Sequence, residues 1–177
     1  MSGHNKWSKV KRKKEVTDAK KSKIFSKFAK LITMESKKAK GDINSPSLKN
    51  AMEQAKSANM PLQNVERAVK KGVSDEAGNM EAVVYETYGF GGCGIIIECL
   101  TDSKNRTAAE IRHLLSKNGL ALAGIGSVSW SFEKKENEWL PKNTIPLSEE
   151  DKEKNENLID ELEDNDDVQG IFTNIAD

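Results

Sequence analysis

The sequence lacks any long hydrophobic run. No stretch of its 177 residues approaches the roughly 20 consecutive apolar residues that a membrane-spanning helix needs. The N-terminus also lacks the apolar core of a secretory signal peptide. We therefore expect a cytoplasmic protein with no membrane partner, and the length suits one medium or two small domains.

Cysteine and histidine are scarce, and this limits metal binding and nucleophilic catalysis. The two cysteines, Cys93 and Cys99, have no second Cys or His pair at zinc-ligand spacing, so we expect buried thiols and no metal site. The two histidines, His4 and His113, lie far apart in the chain with no serine or cysteine nucleophile motif beside either. The sequence therefore predicts a protein that is not an enzyme and that needs no cofactor.

Glycine is concentrated in one segment, GFGGCG at residues 89–94. Glycine-rich loops can hold phosphate, but a Rossmann or Walker loop must open a helix whose N-terminus faces the anion. Here the segment joins two runs that are rich in β-branched and aromatic residues. It is therefore predicted to be a tight turn between two strands.

The formal net charge of zero hides a division between the two halves of the chain. Residues 1–75 contain 19 Lys and Arg against 7 Asp and Glu, whereas residues 76–177 contain 9 against 21. The first 40 residues alone hold 14 basic and 3 acidic side chains. Because a concentrated positive field attracts phosphate polyanions over about a Debye length, the asymmetry predicts a polyanionic partner.

The basic half has helical periodicity. From Thr17 to about Lys40, apolar residues recur at helical spacing and lysines fall on the opposite side. Two further helices are predicted, from Pro46 to Ala58 and from near Pro61 to Gly72. The apolar positions of the first helix are Ile24, Phe25, Phe28, Leu31 and Ile32, and the opposing lysines are Lys23, Lys27, Lys30 and Lys37. We expect residues 1–76 to form a basic, helical, nucleic-acid-binding domain.

The acidic half, residues 77–177, is predicted to be an α+β domain. Two strands flank the glycine-rich turn, a helix spans Arg106 to Asn118, and a serine-capped acidic helix precedes the last strand. The segment SVSWSFEKK alternates Val128, Trp130 and Phe132, which predicts a half-buried strand with these three side chains on one face. The order β-β-α-β-β-α-β indicates a mostly antiparallel sheet with two covering helices.

The basic run KVKRKK at residues 9–14 has two interpretations. Charge runs are commonly solvated tails, but Trp7 and Val10 are interleaved here at helical spacing, which favours contact with phosphate. Few aromatic residues lie among the basic ones, so stacking on single-stranded bases is not the obvious mode. In the loop TDSKNRT, Arg106 offers a planar fork of donors that suits phosphate or carboxylate, and a structural salt bridge is the alternative.

Several motifs together resemble one known family. They are GHNKW at 3–7, KIFSK at 23–27, ANMP at 58–61, NVERAVKKG at 64–72, YETYGFGG at 85–92, ECLTDSKNRT at 98–107, RHLLSKNG at 112–119 and LIDELEDNDDVQGIFTN at 158–174. These motifs are collinear and resemble the YebC family, which comprises probable transcriptional regulatory proteins of bacteria and the mitochondrial translational activator of cytochrome c oxidase. The sequence departs from the family pattern near residues 135–138, where an additional α/β domain is usually inserted and is missing here.

The resemblance implies a non-enzymatic regulator of gene expression that binds nucleic acid, either DNA or ribosomal RNA. Some members are described as DNA-binding regulators, and others as ribosome-associated factors that assist translation through proline-rich sequences; both interpretations stay open. Asn105 and Arg106 match the NRT loop of the family and form a second candidate contact. The contact surface that the resemblance implies comprises His4, Lys6, Trp7, Lys9, Lys11, Arg12, Lys13, Lys14, Lys20, Lys21, Lys23, Lys27, Lys30, Arg67, Lys70 and Lys71.

Overall fold

The computed structural model describes residues 18–78 and 80–176. The chain divides into two compact units. The helical unit extends to Glu81 and also contains Leu100–Ser103, and the α+β unit contains Ala82–Cys99 and the chain from Lys104 onward. The domain boundary after residue 76, expected from composition, stays a prediction.

Three α-helices form the helical unit. They are α1 (Asp18–Ala39), α2 (Pro46–Ser57) and α3 (Leu62–Val73). Ser45 and Pro46 begin α2 as the sequence predicts, although the Ser45 side chain makes no capping hydrogen bond. The three helices predicted from apolar spacing are thus confirmed to within a few residues. No helix in the described ranges, here or in the α+β unit, is long and apolar enough to cross a membrane.

The core of the helical unit is built from one face of each helix. Ile32 of α1, Leu48 of α2 and Val65 of α3 are fully buried at its centre. Three of the apolar residues predicted for the inner face of α1, Phe25, Phe28 and Leu31, pack against it while partly exposed. Burial of such side chains contributes about 1.5–3 kcal/mol each, which fixes the three helices against one another.

Helices α1 and α3 approach closely at Gly72. A Cβ atom added to Gly72 would lie 2.5 Å from the Cβ of Ser36 and 2.6 Å from the carbonyl oxygen of Thr33. Two hydroxyl groups of α1 bridge the same helices: Thr33 Oγ1 donates to the carbonyl oxygen of Ala68 at 3.3 Å, and Ser36 Oγ donates to that of Val69 at 2.7 Å. The orientation of α3 on α1 is therefore set by small residues and side-chain hydrogen bonds.

The α+β unit has the predicted order of elements. They are β1 (Glu81–Tyr88), β2 (Gly94–Thr101), α4 (Lys104–Lys117), β3 (Phe132–Lys135), β4 (Glu138–Pro141), α5 (Glu149–Glu163) and β5 (Val168–Thr173). Strands β1, β2 and β5 form an antiparallel sheet with β2 in the centre, and β3 and β4 form a separate antiparallel pair. The α+β fold class is confirmed.

Successive side chains of β2 point to opposite faces of the three-stranded sheet, and each face packs against a different cluster of residues. Ile95 and Ile97 face a core that includes Ile111 of α4 and Leu158 of α5. Ile96 points the other way, into a second cluster of buried residues. The other members of that second cluster are Val128, Phe132 and Phe172, with Ala123 and Trp139 packed against it.

The segment before β3 differs from the predicted strand. Residues Ser129–Ser131 form a short 3-10 turn, and the strand begins only at Phe132. Val128 and Phe132 are buried as predicted, but Trp130 is 66% exposed, so the prediction for Trp130 is wrong. The indole Nε1 of Trp130 donates to the carbonyl oxygen of Ser127 at 2.8 Å, which holds the ring along the turn instead of under it.

A tight hairpin occupies the place where the family resemblance located a missing domain. Lys135 pairs with Glu138 across β3 and β4, so only Glu136 and Asn137 connect the two strands. The hairpin packs on the sheet through Phe132 and Trp139. The α+β unit therefore connects β3 directly to β4.

We expect replacement of Glu136 by glycine to stabilise this hairpin. Glu136 has a φ of 53°, in the left-handed region, which costs a residue with a Cβ atom roughly 1–2 kcal/mol. Glycine avoids that cost, but it loses more conformational entropy on folding, which offsets about 0.5–1 kcal/mol of the gain. The expected gain is about 0.5–1 kcal/mol in the free energy of unfolding, measured by urea denaturation. Asn137→Gly is the control and should give no gain, because Asn137 does not have a positive φ.

Candidate nucleic-acid interface

The first turns of α1 present lysines to solvent. Lys20 and Lys21 are exposed, and Lys23 and Lys30 are partly exposed further along the helix. Along this helix, residues three and four apart share a face, so Lys20 and Lys23 are neighbours on its surface. The N-terminal half of α1 therefore carries a group of ammonium ions on its accessible side.

Lys27 departs from the predicted cationic face. Its side chain is buried, with only 5% of the residue exposed. Helical spacing from Lys23 and Lys30 predicted an exposed position, and that prediction is wrong. A lysine can bury its four-carbon stem against apolar surface, so burial of Lys27 does not require an isolated buried charge.

Helix α3 contributes a second exposed group of cations. Arg67, Lys70 and Lys71 are all exposed and lie three and four residues apart, so they share the outer face of the helix. The opposite face holds Val65 and Ala68, which are buried in the helical core. Lys70 and Lys71 occupy the last turn, where positive charge also stabilises the negative end of the helix dipole.

Half of the predicted contact surface lies outside the described residues. Its members are His4, Lys6, Trp7, Lys9, Lys11, Arg12, Lys13 and Lys14. Their part in binding stays a prediction from the sequence.

The second candidate contact, at the start of α4, holds a carboxylate. Arg106 Nη2 lies 2.9 Å from Asp167 Oδ2, and Thr107 Oγ1 donates to the same oxygen at 2.7 Å. Asp167 is buried, whereas Asn105 and Arg106 are exposed. The Arg106 guanidinium therefore makes a structural salt bridge, the alternative that the sequence left open, and a phosphate contact by Asn105 and Arg106 stays a prediction.

The glycine-rich segment is a structural turn held by a buried amide. Asn155 of α5 accepts a hydrogen bond from the backbone N–H of Phe90 at 3.0 Å and donates to the carbonyl oxygen of Phe90 at 2.9 Å. A short 3-10 turn, Phe90–Gly92, connects β1 and β2 as predicted. The backbone N–H of Phe90, which a phosphate could otherwise accept from, is thus already bound by the Asn155 side chain.

Both cysteines are buried free thiols, as expected. Burial raises the pKa of Cys93 to about 11, so its thiol is protonated at neutral pH and is not a nucleophile. Within residues 18–78 and 80–176, no group of three or more Cys, His, Asp or Glu side chains has the arrangement of a metal site.

Sequence reasoning missed one polar feature, the buried carboxylate of Glu86. It accepts backbone hydrogen bonds from Gly126, Val128 and Ser129, at 2.9, 2.7 and 2.9 Å. These bonds fix the loop that leads from α4 into β3. A glutamate within YETYGF gives no sign of this role, because its partners are 40 or more residues away in the chain.

Family comparison covers both units. Residues 5–75 match the family model described as the TACO1/YebC protein N-terminal domain, and residues 80–137 and 133–175 match the one described as the TACO1/YebC second and third domain. The chain belongs to the TACO1/YebC family. The second model matches in two parts that meet at residues 133–137, which is the position of the β3–β4 hairpin.

Relatives within the TACO1/YebC family carry the name of regulatory proteins. A probable transcriptional regulatory protein of Thermoanaerobacter pseudethanolicus is 40% identical over 238 residues, covering 99% of this chain and 97% of that protein. Another, from Caldanaerobacter subterraneus, is also 40% identical over 238 residues, with 99% and 98% covered. Since this chain has 177 residues, it is shorter than these relatives, as the resemblance implied.

A solved structure shares the fold. The crystal structure of a conserved hypothetical protein from Aquifex aeolicus aligns with a TM-score of 0.87 and 29% sequence identity. The alignment covers 97% of this chain and 96% of that one.

Proposed function

We propose that this TACO1/YebC protein is a non-enzymatic regulator of gene expression that binds nucleic acid through phosphate contacts of its helical unit. The observation that carries the proposal is the exposure of Arg67, Lys70 and Lys71 on one face of α3 together with the lysines of α1. The names of the relatives, probable transcriptional regulatory proteins, support the regulatory part. The charge of the first 75 residues, 19 basic against 7 acidic, supports the polyanionic ligand.

The side chains of α1 favour binding that does not depend on base sequence. All cations of α1 are lysines, and the helix contains no Arg, Asn or Gln, the residues that most often read base edges through paired hydrogen bonds. A lysine ammonium acts as a point charge toward phosphate oxygens. The lysines of α1 would therefore contact the ligand through its phosphate backbone.

A neutralised surface on α3 tests the proposal. We expect Arg67→Gln, Lys70→Gln and Lys71→Gln together to weaken binding to all duplex sequences alike. The slope of log affinity against log salt should fall by roughly 0.7–0.9 for each phosphate that the variant no longer neutralises. Glutamine keeps good helix propensity, so the fold should persist. The measurement is fluorescence anisotropy of labelled duplexes over a range of salt concentrations.

The matched control removes the same number of charges from the α+β unit. Lys117, Lys135 and Lys152 pair with Glu161, Glu133 and Glu149 in the α+β unit, and such accessible pairs add little to stability. Their replacement by glutamine should leave the salt slope unchanged. Equal loss of affinity in both triple variants would contradict a specific interface on α3.

A ribosome-bound translation factor is the second candidate function. Phosphates of ribosomal RNA and of duplex DNA would be bound by the same lysines, so the contact chemistry of α1 supports both. A sucrose gradient of cell lysate, run with and without nuclease, separates them. Co-migration with ribosomes that survives DNase and is lost with RNase favours the translation factor, and absence from the ribosomal fractions favours the DNA-binding regulator.

A further inference from the structure

Three large apolar side chains are exposed around one loop of the α+β unit. Ile125 is 98% exposed, Trp130 is 66% exposed and Tyr88, on the neighbouring end of β1, is 46% exposed. The chain from Asn118 to Phe132 contains no charged residue, although about a third of the whole sequence is charged. An uncharged loop with exposed aromatic rings on so charged a protein needs a physical reason, because exposed apolar surface promotes non-specific association.

The two aromatic side chains are anchored by their polar atoms. Tyr88 Oη and Trp130 Nε1 both donate to one acceptor, the carbonyl oxygen of Ser127. Their hydrogen-bonding capacity is thus used inside the protein, and what they offer to a ligand is mainly ring surface. The shared acceptor also brings the two rings to the same part of the surface.

The loop that carries Trp130 is held in place before any ligand arrives. The Glu86 carboxylate binds the backbone N–H groups of Gly126, Val128 and Ser129, and Val128 is buried in the core beneath the loop. A fixed ring loses little conformational entropy when a ligand stacks on it, which favours binding. The exposure of Trp130 is therefore built into the fold.

A positive charge lies next to the backbone of Trp130. Lys142, which is exposed, donates from Nζ to the carbonyl oxygen of Trp130 at 2.9 Å. Single-stranded nucleic acids are bound by this combination, in which bases stack on aromatic side chains and a cation meets the backbone. Unpaired RNA bases in particular can be splayed out onto Tyr and Trp.

We infer that Tyr88 and Trp130 form a stacking site for unpaired nucleotides, with Lys142 as the adjacent phosphate contact. The inference rests on the proposed function and adds a second site to it, in the α+β unit. Phosphate contacts of the helical unit do not distinguish paired from unpaired strands, whereas stacking on Tyr88 and Trp130 selects single-stranded segments. The protein would then favour nucleic acid with both a duplex and an unpaired region.

The test asks whether position 130 needs an aromatic ring for binding or only an apolar side chain. Full-length protein with Trp130→Phe, Trp130→Leu or Tyr88→Leu is titrated with a single-stranded oligouridine and with a duplex RNA of the same length. We expect Trp130→Leu and Tyr88→Leu each to weaken binding of the single strand by about 5- to 150-fold, the range for loss of one stacked base. Trp130→Phe keeps a ring and should stay near wild-type affinity. Binding of the duplex should be unchanged in all three variants.

Ile125→Ser is the matched control, because it removes the most exposed apolar side chain of the loop without touching a ring. It should leave binding of both RNAs unchanged. Single-strand affinity that survives Trp130→Leu overturns the stacking site. Loss of single-strand affinity with Ile125→Ser would show that the apolar area of the loop, and not the rings, contacts the ligand, and it would also overturn the stacking site. Wild-type protein that binds neither RNA overturns the stacking site, and failure to bind duplex DNA in the salt series as well overturns the proposed function. Duplex RNA binding with no loss in the Leu variants overturns the stacking site alone.

Discussion

Replacement of Glu86 by alanine is expected to lower the free energy of unfolding of the α+β unit by about 3–5 kcal/mol. The substitution removes a carboxylate that accepts three backbone hydrogen bonds and leaves the N–H groups of Gly126, Val128 and Ser129 without their acceptor. Hydrogen bonds to a charged group contribute about 1.5–3 kcal/mol each, and water can replace part of them in an exposed loop. The loss is a large fraction of the 5–15 kcal/mol typical of a domain. Chemical denaturation followed by circular dichroism measures it.

Acid titration provides the internal check on Glu86. Burial would raise the pKa of Glu86, but the hydrogen bonds from Gly126, Val128 and Ser129 together outweigh it and hold the pKa below its usual range. A lowered pKa stabilises the folded state above the unfolded pKa of about 4.3, and this stability is lost as the pH falls through the folded value. Glu86→Gln should therefore remove part of the acid destabilisation. A Glu86→Ala loss below about 1 kcal/mol, no larger than that of the exposed Glu133→Ala, would contradict the role of the carboxylate.

The largest expected effect on binding comes from Lys11, Arg12, Lys13 and Lys14. Their simultaneous replacement by alanine should weaken binding to all sequences alike and reduce the salt slope by roughly 0.7–0.9 for each phosphate left without its cation. If all four residues neutralise phosphates, the slope falls by about 3, which corresponds to a loss of several powers of ten in affinity at low salt. Anisotropy titrations in a salt series measure both quantities.

The outcome distinguishes an interface from a solvated tail. The fold should survive, because Ile32 and the rest of the helical core lie in the described residues beyond this run. Native helix content by circular dichroism, together with unchanged affinity and salt slope, would assign the run to solvent and leave the cations of α1 and α3 as the binding surface. A quadruple variant of Lys117, Lys135, Lys152 and Lys154, the last of which pairs with Glu150, removes the same number of charges from the α+β unit and controls for loss of charge as such.

The helices were predictable because their apolar residues recur at helical spacing, which places them on the face that packs into the core. The burial of Ile32, Leu48 and Val65 reproduces the pattern that placed α1, α2 and α3. The acidic helix was predictable from its cap, since Ser148 Oγ accepts from the backbone N–H of Asp151 at 3.1 Å, as a serine before an acidic turn predicts. Local chemistry decides both features.

The candidate site was less predictable, because its side chains depend on distant partners. Arg106 finds its carboxylate in Asp167, 61 residues away, and Glu86 finds its donors in a loop 40 or more positions along the chain. Alternation between Val128 and Phe132 is satisfied by a 3-10 turn as well as by a strand, so the sequence could not place Trp130. Spacing gives the face of a helix on which a lysine such as Lys27 lies, but not what covers that face.

The two-residue turn between β3 and β4 is a position at which the α+β unit can accept an inserted domain. Because Lys135 and Glu138 already face each other across the pair, the ends of any module inserted there start side by side, and the closure entropy for its linkers is small. A folded domain whose own termini are adjacent can be added or removed at this point without changing the register of either strand. The hairpin tip is therefore a suitable position for a grafted domain or a reporter protein.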